Sequence, residues 1–240
     1  MKNKNVKIWG VGLLNLLLLS TVACMEEPVG DLEIAPQAVE LGKAKSVEAE
    51  FRIGVGQLRL SGGAKKLLEG EILYNIARWK PEVTYELEGD AGRLVVRQPE
   101  SHGVPHGGKM KNDWNLNLND SVPLRLKINL GVGKNELELG SLNLTDLDIQ
   151  TGVGESTIDL IGDWKKDLNA TIEGGIGLVV LRLPSQVGVR IDAEKGIGSI
   201  HARDFKKDDR SYVNEAFGKS KVTLHIRIKA GIGEIRLELV

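Results

Sequence analysis

A Gly-aliphatic-Gly tripeptide recurs six times in this chain, and it constrains the fold more than any other feature. Its middle residue is always Val or Ile, and the four central copies begin 21, 23 and 21 residues apart. Self-similarity at a period of about 20–50 residues is typical of solenoids and other repeat architectures. The six copies are Gly54-Val55-Gly56, Gly131-Val132-Gly133, Gly152-Val153-Gly154, Gly175-Ile176-Gly177, Gly196-Ile197-Gly198 and Gly231-Ile232-Gly233.

The flanks of each tripeptide predict two strands joined by a corner. Before the tripeptide, apolar residues such as Leu126 and Ile128 occupy every second position, as in a strand with one buried face. After it the phase shifts, because Val132 is followed by Leu137 and Leu139 at odd spacings. A straight strand with this phase shift would expose its apolar side chains. We therefore predict a bend at the second glycine, through positive φ or close backbone contact. The alternation before the tripeptide also predicts that its central Val or Ile points inward.

The pattern predicts an all-β fold, and two architectures fit it. One is a β-solenoid in which strand-corner-strand units stack on each other; the other is a twisted β-sandwich of hairpins. The nearly constant spacing favours the solenoid. Residues 46–112 are predicted to be a less regular N-terminal β region, with a hairpin over residues 82–97, and residues 113–240 to be the repeat region. The twelve glycines of the six tripeptides are interpreted as structural corners rather than as ligand-binding residues.

The N-terminus predicts an export signal and a lipid anchor. Lys2, Lys4 and Lys7 precede an interrupted apolar run over residues 8–22, which is short for a membrane-spanning helix. The segment Ser20-Thr21-Val22-Ala23-Cys24 resembles a bacterial lipobox, and Cys24 is the only cysteine in the chain. We therefore expect residues 1–23 to be a lipoprotein signal peptide, Cys24 to be the lipid attachment site, and residues 24–45 to be a polar tether.

Composition argues against several classes of function. Without the three signal lysines the chain has 29 basic and 33 acidic residues, a net charge of −4, whereas a nucleic-acid partner favours a basic stripe. None of the tripeptides continues into a dinucleotide-binding fingerprint. His102 and His106 are separated by Gly103 and Pro105, which disfavour a metal-binding helix.

The acidic and aromatic residues also favour structural interpretations. The acids between residues 146 and 167 do not recur from copy to copy, so a solvated strand face is expected rather than a calcium site. Trp79, Trp114 and Trp164 are expected to be packing anchors rather than a sugar platform. No catalytic, cofactor or metal site is predicted, and a small-molecule ligand is not expected.

Several short segments, in order, resemble the bacterial toast-rack domain over roughly residues 45–240. They are Gly54–Gly63, Leu67–Gly70, Trp79–Val83, Leu116–Asn119, Val122–Leu124 and Tyr212–Glu215, together with the repeated tripeptides. The resemblance implies an all-β, stacked-strand fold in an extracytoplasmic or membrane-associated setting. Related domains occur in LiaF-like proteins, which are tied to envelope stress and typically have membrane helices, whereas this chain has a lipobox. The family implies no active site.

These observations predict a non-enzymatic, membrane-anchored extracytoplasmic lipoprotein. Its expected role is that of a binding or scaffold module at the cell envelope, with an envelope protein as partner and stress sensing as one use. A surface adhesin or structural module is the alternative, and a polysaccharide-acting enzyme is the least favoured.

Overall fold

The computed structural model describes residues 26–100, 104–106 and 108–240, which are almost wholly β. One turn of 3-10 helix, Ala77–Trp79, is the only helix in this part of the chain, and no described helix is long and apolar enough to cross a membrane. The strands, in chain order, are β1 (Glu26–Pro28), β2 (Glu33–Val39), β3 (Ser46–Ser61), β4 (Leu68–Tyr74), β5 (Glu82–Glu88), β6 (Ala91–Arg97), β7 (Val104–His106), β8 (Asn112–Leu118), β9 (Leu124–Glu138), β10 (Leu144–Asp159), β11 (Leu168–Leu183), β12 (Gly188–His201), β13 (Lys206–Asp208), β14 (Ser211–Val213) and β15 (Thr223–Leu239).

The six tripeptides lie in six long strands that pair in parallel in the order β3, β9, β10, β11, β15, β12. The pairing is in register through every tripeptide, so that Val132 lies between Val55 and Val153. Each strand must fold back on itself. A straight strand the length of β9 would span about 50 Å, whereas residues 139–143 bridge at most about 18 Å before β10 starts beside the beginning of β9. Each long strand is therefore one coil of a solenoid, and the solenoid prediction is confirmed.

The two arms of each coil face each other across the core. In β10, Leu147 and Ile149 are buried before the corner, and Ile158 is buried after it. Across the corner of β11, a Cβ built on Gly174 would lie 3.2 Å from Val179 Cγ2, which shows how close the arms come. The odd spacing between the tripeptide and the apolar residues that follow it is therefore explained by a bend, which turns the buried side chains of both arms toward one interior.

The prediction that the central Val or Ile points inward is wrong. These six side chains are exposed, from 38% at Val55 to 73% at Ile197. At the apex of the bend the two arms come too close together for another inward side chain. In β9 the interior there is closed by Leu130 and Asn135, which are buried on either side of the corner. The apex residue consequently points outward from the convex side.

The last strand of the sequence is inserted between two earlier ones. β12 follows β11 after only residues 184–187, yet β15 lies between them and pairs in parallel with both. The chain returns through residues 202–222, which contain the short strands β13 and β14. Buried Asn214 fixes this excursion, because its Oδ1 accepts a hydrogen bond from Val189 N and its Nδ2 donates to Val187 O.

The N-terminal region covers the other end of the stack. The first half of β3 pairs in parallel with β6 and its second half with β8, while β5 and β6 form the predicted hairpin. β8 continues antiparallel into β4, and β4 into β2. The predicted tether over residues 24–45 is therefore wrong from residue 33 onward, because β2 is the edge strand of this sheet.

Candidate functional site

The outward apex side chains form a continuous row across the solenoid, here called the aliphatic ridge. Strand pairing places each apex beside the next, and with strands ~4.8 Å apart the row is about 24 Å long. All six members are exposed. In spatial order they are Val55, Val132, Val153, Ile176, Ile232 and Ile197.

Glycine is required beside each apex because the coil backbones approach closely there. The second glycine of every tripeptide has a positive φ, between 135° and 158°. In each of β9, β10, β11, β15 and β12, a Cβ on either glycine of the tripeptide would come within 3.0 Å of a backbone carbonyl oxygen. That oxygen belongs to the equivalent glycine of the preceding coil in this spatial order; for example, a Cβ on Gly131 would meet Gly54 O and a Cβ on Gly133 would meet Gly56 O. The glycines therefore allow the coils to stack, and they present the apex side chains.

The two ends of the ridge differ. At the β3 end, Gln98 Oε1 accepts hydrogen bonds from Gly54 N (3.0 Å) and Val55 N (3.2 Å), and Asn112 Nδ2 donates to Val55 O at 2.6 Å. These two side chains replace a further coil. At the other end, β12 has an outer partner only at residues 190–192, so within the described chain residues 193–201 form an uncovered edge.

A polar groove of about 990 Å³ lies beside the ridge, on the outer face of β3, β9 and β10. Arg52, Asn129 and Gln150 follow one another across these three strands in register and form its floor. The segment Gln98–Glu100 and the edge of Trp79 line one side.

A buried carboxylate organises the groove floor. Glu50 is 6% exposed and accepts two hydrogen bonds from Arg52, from Nε and Nη2, both at 2.8 Å. Asn129 Nδ2 donates to Glu50 Oε1 at 3.2 Å, and Lys127 Nζ lies 4.0 Å from the same oxygen. Hydrogen bonding from Arg52, with the charges of Arg52, Lys127 and Arg93, holds the pKa of Glu50 below its usual value although burial opposes this. Glu50 is thus an ionised support that fixes Arg52 and Asn129.

Residues singled out in the sequence have different positions relative to these surfaces. Cys24 and residues 1–23 lie outside the described residues, as does His102. Trp79, Trp114 and Trp164 are buried, which confirms that they are packing anchors. No group of three or more His, Cys, Asp or Glu in the described part of the chain could hold a metal ion. The sequence did not predict the groove, nor the two side chains, Gln98 and Asn112, that bond to the corner of β3. Neither feature has a repeated sequence pattern.

Comparison with known proteins places the chain in a family. Residues 29–182 match Toast_rack_N, the N-terminal domain of toast_rack, and residues 131–237 match LiaF-like_C, described as cell wall-active antibiotics response LiaF, C-terminal. No curated protein matches.

One solved structure is closely similar. A crystal structure of a candidate cell adhesion protein from Clostridium sporogenes is 34% identical, with a TM-score of 0.84 over 88% of this chain and 100% of that chain. A candidate adhesin from Bacteroides fragilis covers 88% of this chain and 99% of its own at 12% identity, but its TM-score of 0.24 is too low to inform fold or function. Because the Toast_rack_N match spans more than half of the sequence, the chain belongs to the toast-rack family.

Proposed function

We propose that this protein is a non-enzymatic, lipid-anchored extracytoplasmic module that binds another envelope protein through its aliphatic ridge, in the context of envelope-stress sensing. The observation that carries the proposal is the ridge itself, six exposed aliphatic side chains in one uninterrupted row. Large contiguous apolar patches are uncommon on soluble proteins and mark interaction sites. The family also fits a cell-envelope binding or structural module.

Packing alone does not explain why the ridge is apolar. The apex side chains point to solvent, so the core does not require Val or Ile there. Thr has the same branched Cβ, which favours extended backbone, and it exposes less apolar surface. Six of six apex positions nevertheless have a purely aliphatic residue. Contact between the aliphatic ridge and an apolar surface of a partner would explain why all six apex residues are aliphatic.

A second candidate function is adhesion, and one observation favours it. The similar Clostridium sporogenes protein is described as a candidate cell adhesion protein. In that case the ridge contacts a molecule of another cell or surface rather than a neighbour in the same envelope. Deletion that reduces attachment and leaves envelope-stress reporters unchanged would favour adhesion over sensing.

The anchor is tested by replacing Cys24. We expect Cys24→Ala to abolish labelling by a radioactive or clickable fatty acid and to move the protein out of the membrane fraction, because two or more acyl chains are needed for stable membrane attachment. A conservative control is Thr21→Leu, which keeps the cysteine and should remain labelled. Continued fatty-acid labelling of the Cys24→Ala protein would refute the anchor.

The ridge is tested by site-specific photocrosslinking in intact cells. A photoreactive amino acid at Val153 should give a discrete crosslinked partner, whereas the same probe at Thr157, on the outer face of an arm, should not. Introducing Ile176→Lys and Ile232→Lys into the protein with the probe at Val153 should lower the yield of crosslinked partner about tenfold. The reason is that burial of an aliphatic side chain contributes about 1.5–3 kcal/mol to binding. Unchanged melting temperatures would verify the fold. Equal crosslinking at both probe positions, or no effect of the lysines, would contradict the proposal.

A further inference from the structure

We propose that the polar groove over β3, β9 and β10 binds an extended, uncharged stretch of glycan that lies across the strands. The groove adjoins the aliphatic ridge and shares Val55 with it, but this proposal does not depend on a protein partner at the ridge.

The charges of the groove are balanced within it. Arg52 is paired with Glu50, and Arg97 Nε donates to Glu82 Oε2 at 2.8 Å. Among the described lining residues three are basic (Arg52, Arg97, Lys127) and two are acidic (Glu50, Glu100), and Glu82, which is not a lining residue, neutralises Arg97. An anionic ligand would need an excess of donors and positive charge. The balance favours a neutral ligand.

The polar atoms that remain for a ligand include both donors and acceptors. In the described chain, the side-chain amide of Gln150 and the hydroxyl of Thr151 make no hydrogen bond, and Asn129 uses only its Nδ2. Arg52 has Nη1 left after Nε and Nη2 bond to Glu50. A sugar hydroxyl donates and accepts at the same time, so a mixed set of amide, hydroxyl and guanidinium groups matches it better than a donor-only site does.

The shape of the groove suits a chain of sugars rather than a single compact molecule. The groove floor repeats with the strand spacing of ~4.8 Å, which is close to the length of one pyranose residue in an extended glycan. Arg52, Asn129 and Gln150 therefore offer one polar group per sugar along a line perpendicular to the strands. A volume of about 990 Å³ accommodates a short oligosaccharide.

The groove is also preorganised. Its floor residues lie on strands paired on both sides, and Glu50 holds Arg52 and Asn129 through the bonds described above. Binding therefore costs little side-chain entropy at Arg52 and Asn129, which matters for a weakly binding neutral ligand. The buried tryptophans do not offer a stacking platform, so recognition here rests on hydrogen bonds.

The test uses the full chain in detergent micelles, titrated by calorimetry with cellohexaose, chitohexaose and mannohexaose as neutral probes and polygalacturonate as an anionic probe. We expect at least one neutral hexamer to bind with a dissociation constant of about 0.1–1 mM. Gln150→Ala should weaken binding about fivefold, and Asn129→Ala with Gln150→Ala about tenfold or more. Glu173→Ala is the matched control, because Glu173 is the next residue in the same row, on β11, but lies outside the groove. This variant should bind normally.

Three results would overturn the proposal. They are failure of all three neutral hexamers to bind at about 1 mM, binding that is unaffected by Asn129→Ala with Gln150→Ala, and stronger binding of polygalacturonate that Lys127→Ala abolishes. The last result would assign the groove to anions. Melting temperatures of the variants verify that they are folded, and crosslinking at Val153 remains a separate measurement of the ridge.

Discussion

Alanine at Gly131 is expected to destabilise the protein by about 3 kcal/mol, whereas alanine at Gly54 should change its stability by less than about 0.5 kcal/mol. Both are the first glycine of their tripeptide, and neither has a positive φ. They differ in what a Cβ would meet. At Gly131 it would collide with Gly54 O in the neighbouring backbone, whereas at Gly54 its nearest atom is Gln98 Oε1, at 3.7 Å.

The backbone at Gly131 cannot easily relieve that collision. Separating the two corners would break parallel hydrogen bonds on both sides of β9, whereas Gln98 belongs to a side chain that can shift. Chemical denaturation of the wild type and the two variants measures the differences in their free energies of unfolding. Equal dependence of these free energies on denaturant concentration would verify that the three proteins can be compared as two-state folders. Equal stability of the two variants would show that close stacking of the corners is not what requires glycine.

Deleting residues 221–240 is expected to unfold the coils around the missing strand and cause aggregation. The deletion removes β15 and five of its buried side chains, Leu224, Ile226, Ile228, Ile235 and Leu237. At about 1.5–3 kcal/mol each, their burial is comparable with the whole stability of a typical domain, about 5–15 kcal/mol. The edges of β11 and β12 would also be left without a partner, which promotes intermolecular pairing.

The truncated chain can be tested by complementation. A peptide of residues 221–240, present during refolding, should restore the wild-type elution volume and a cooperative melt. The same peptide with Gly231→Ala and Gly233→Ala should not, because each new Cβ would approach a carbonyl oxygen of the β11 corner within 3.0 Å. A truncated chain that melts at the wild-type temperature would show that β15 contributes little to the fold.

Local pattern predicted the coil well. Alternation identified the arms, the odd spacing after Val132 identified a bend, and the constant period identified stacking. The outward apex was missed because alternation defines a face only along a strand, and Val132 lies where the chain changes direction. The tripeptide therefore has the same sequence whether its middle residue is inside or outside.

The order of the coils was harder to predict. Every coil presents glycine at its corner and aliphatic residues along its arms, so the contact of β11 with β15 is chemically similar to its contact with β10. Nothing in the repeat itself encodes which coils are neighbours. The discriminating contacts, such as those of Asn214, lie in the non-repeating excursion between β12 and β15. The groove was missed for the same reason, since Arg52, Asn129 and Gln150 become adjacent only through register.

Because the contacts between coils are chemically equivalent, the solenoid can be lengthened or shortened by one whole coil. Gain or loss of one whole coil between β9 and β10, or between β10 and β11, would leave every remaining corner stacked on a corner of the same kind. The ridge would change by one side chain and ~4.8 Å. Relatives that differ in coil number are then expected to differ in reach but not in contact chemistry. The number of coils would then set the length of the partner surface that the ridge can contact.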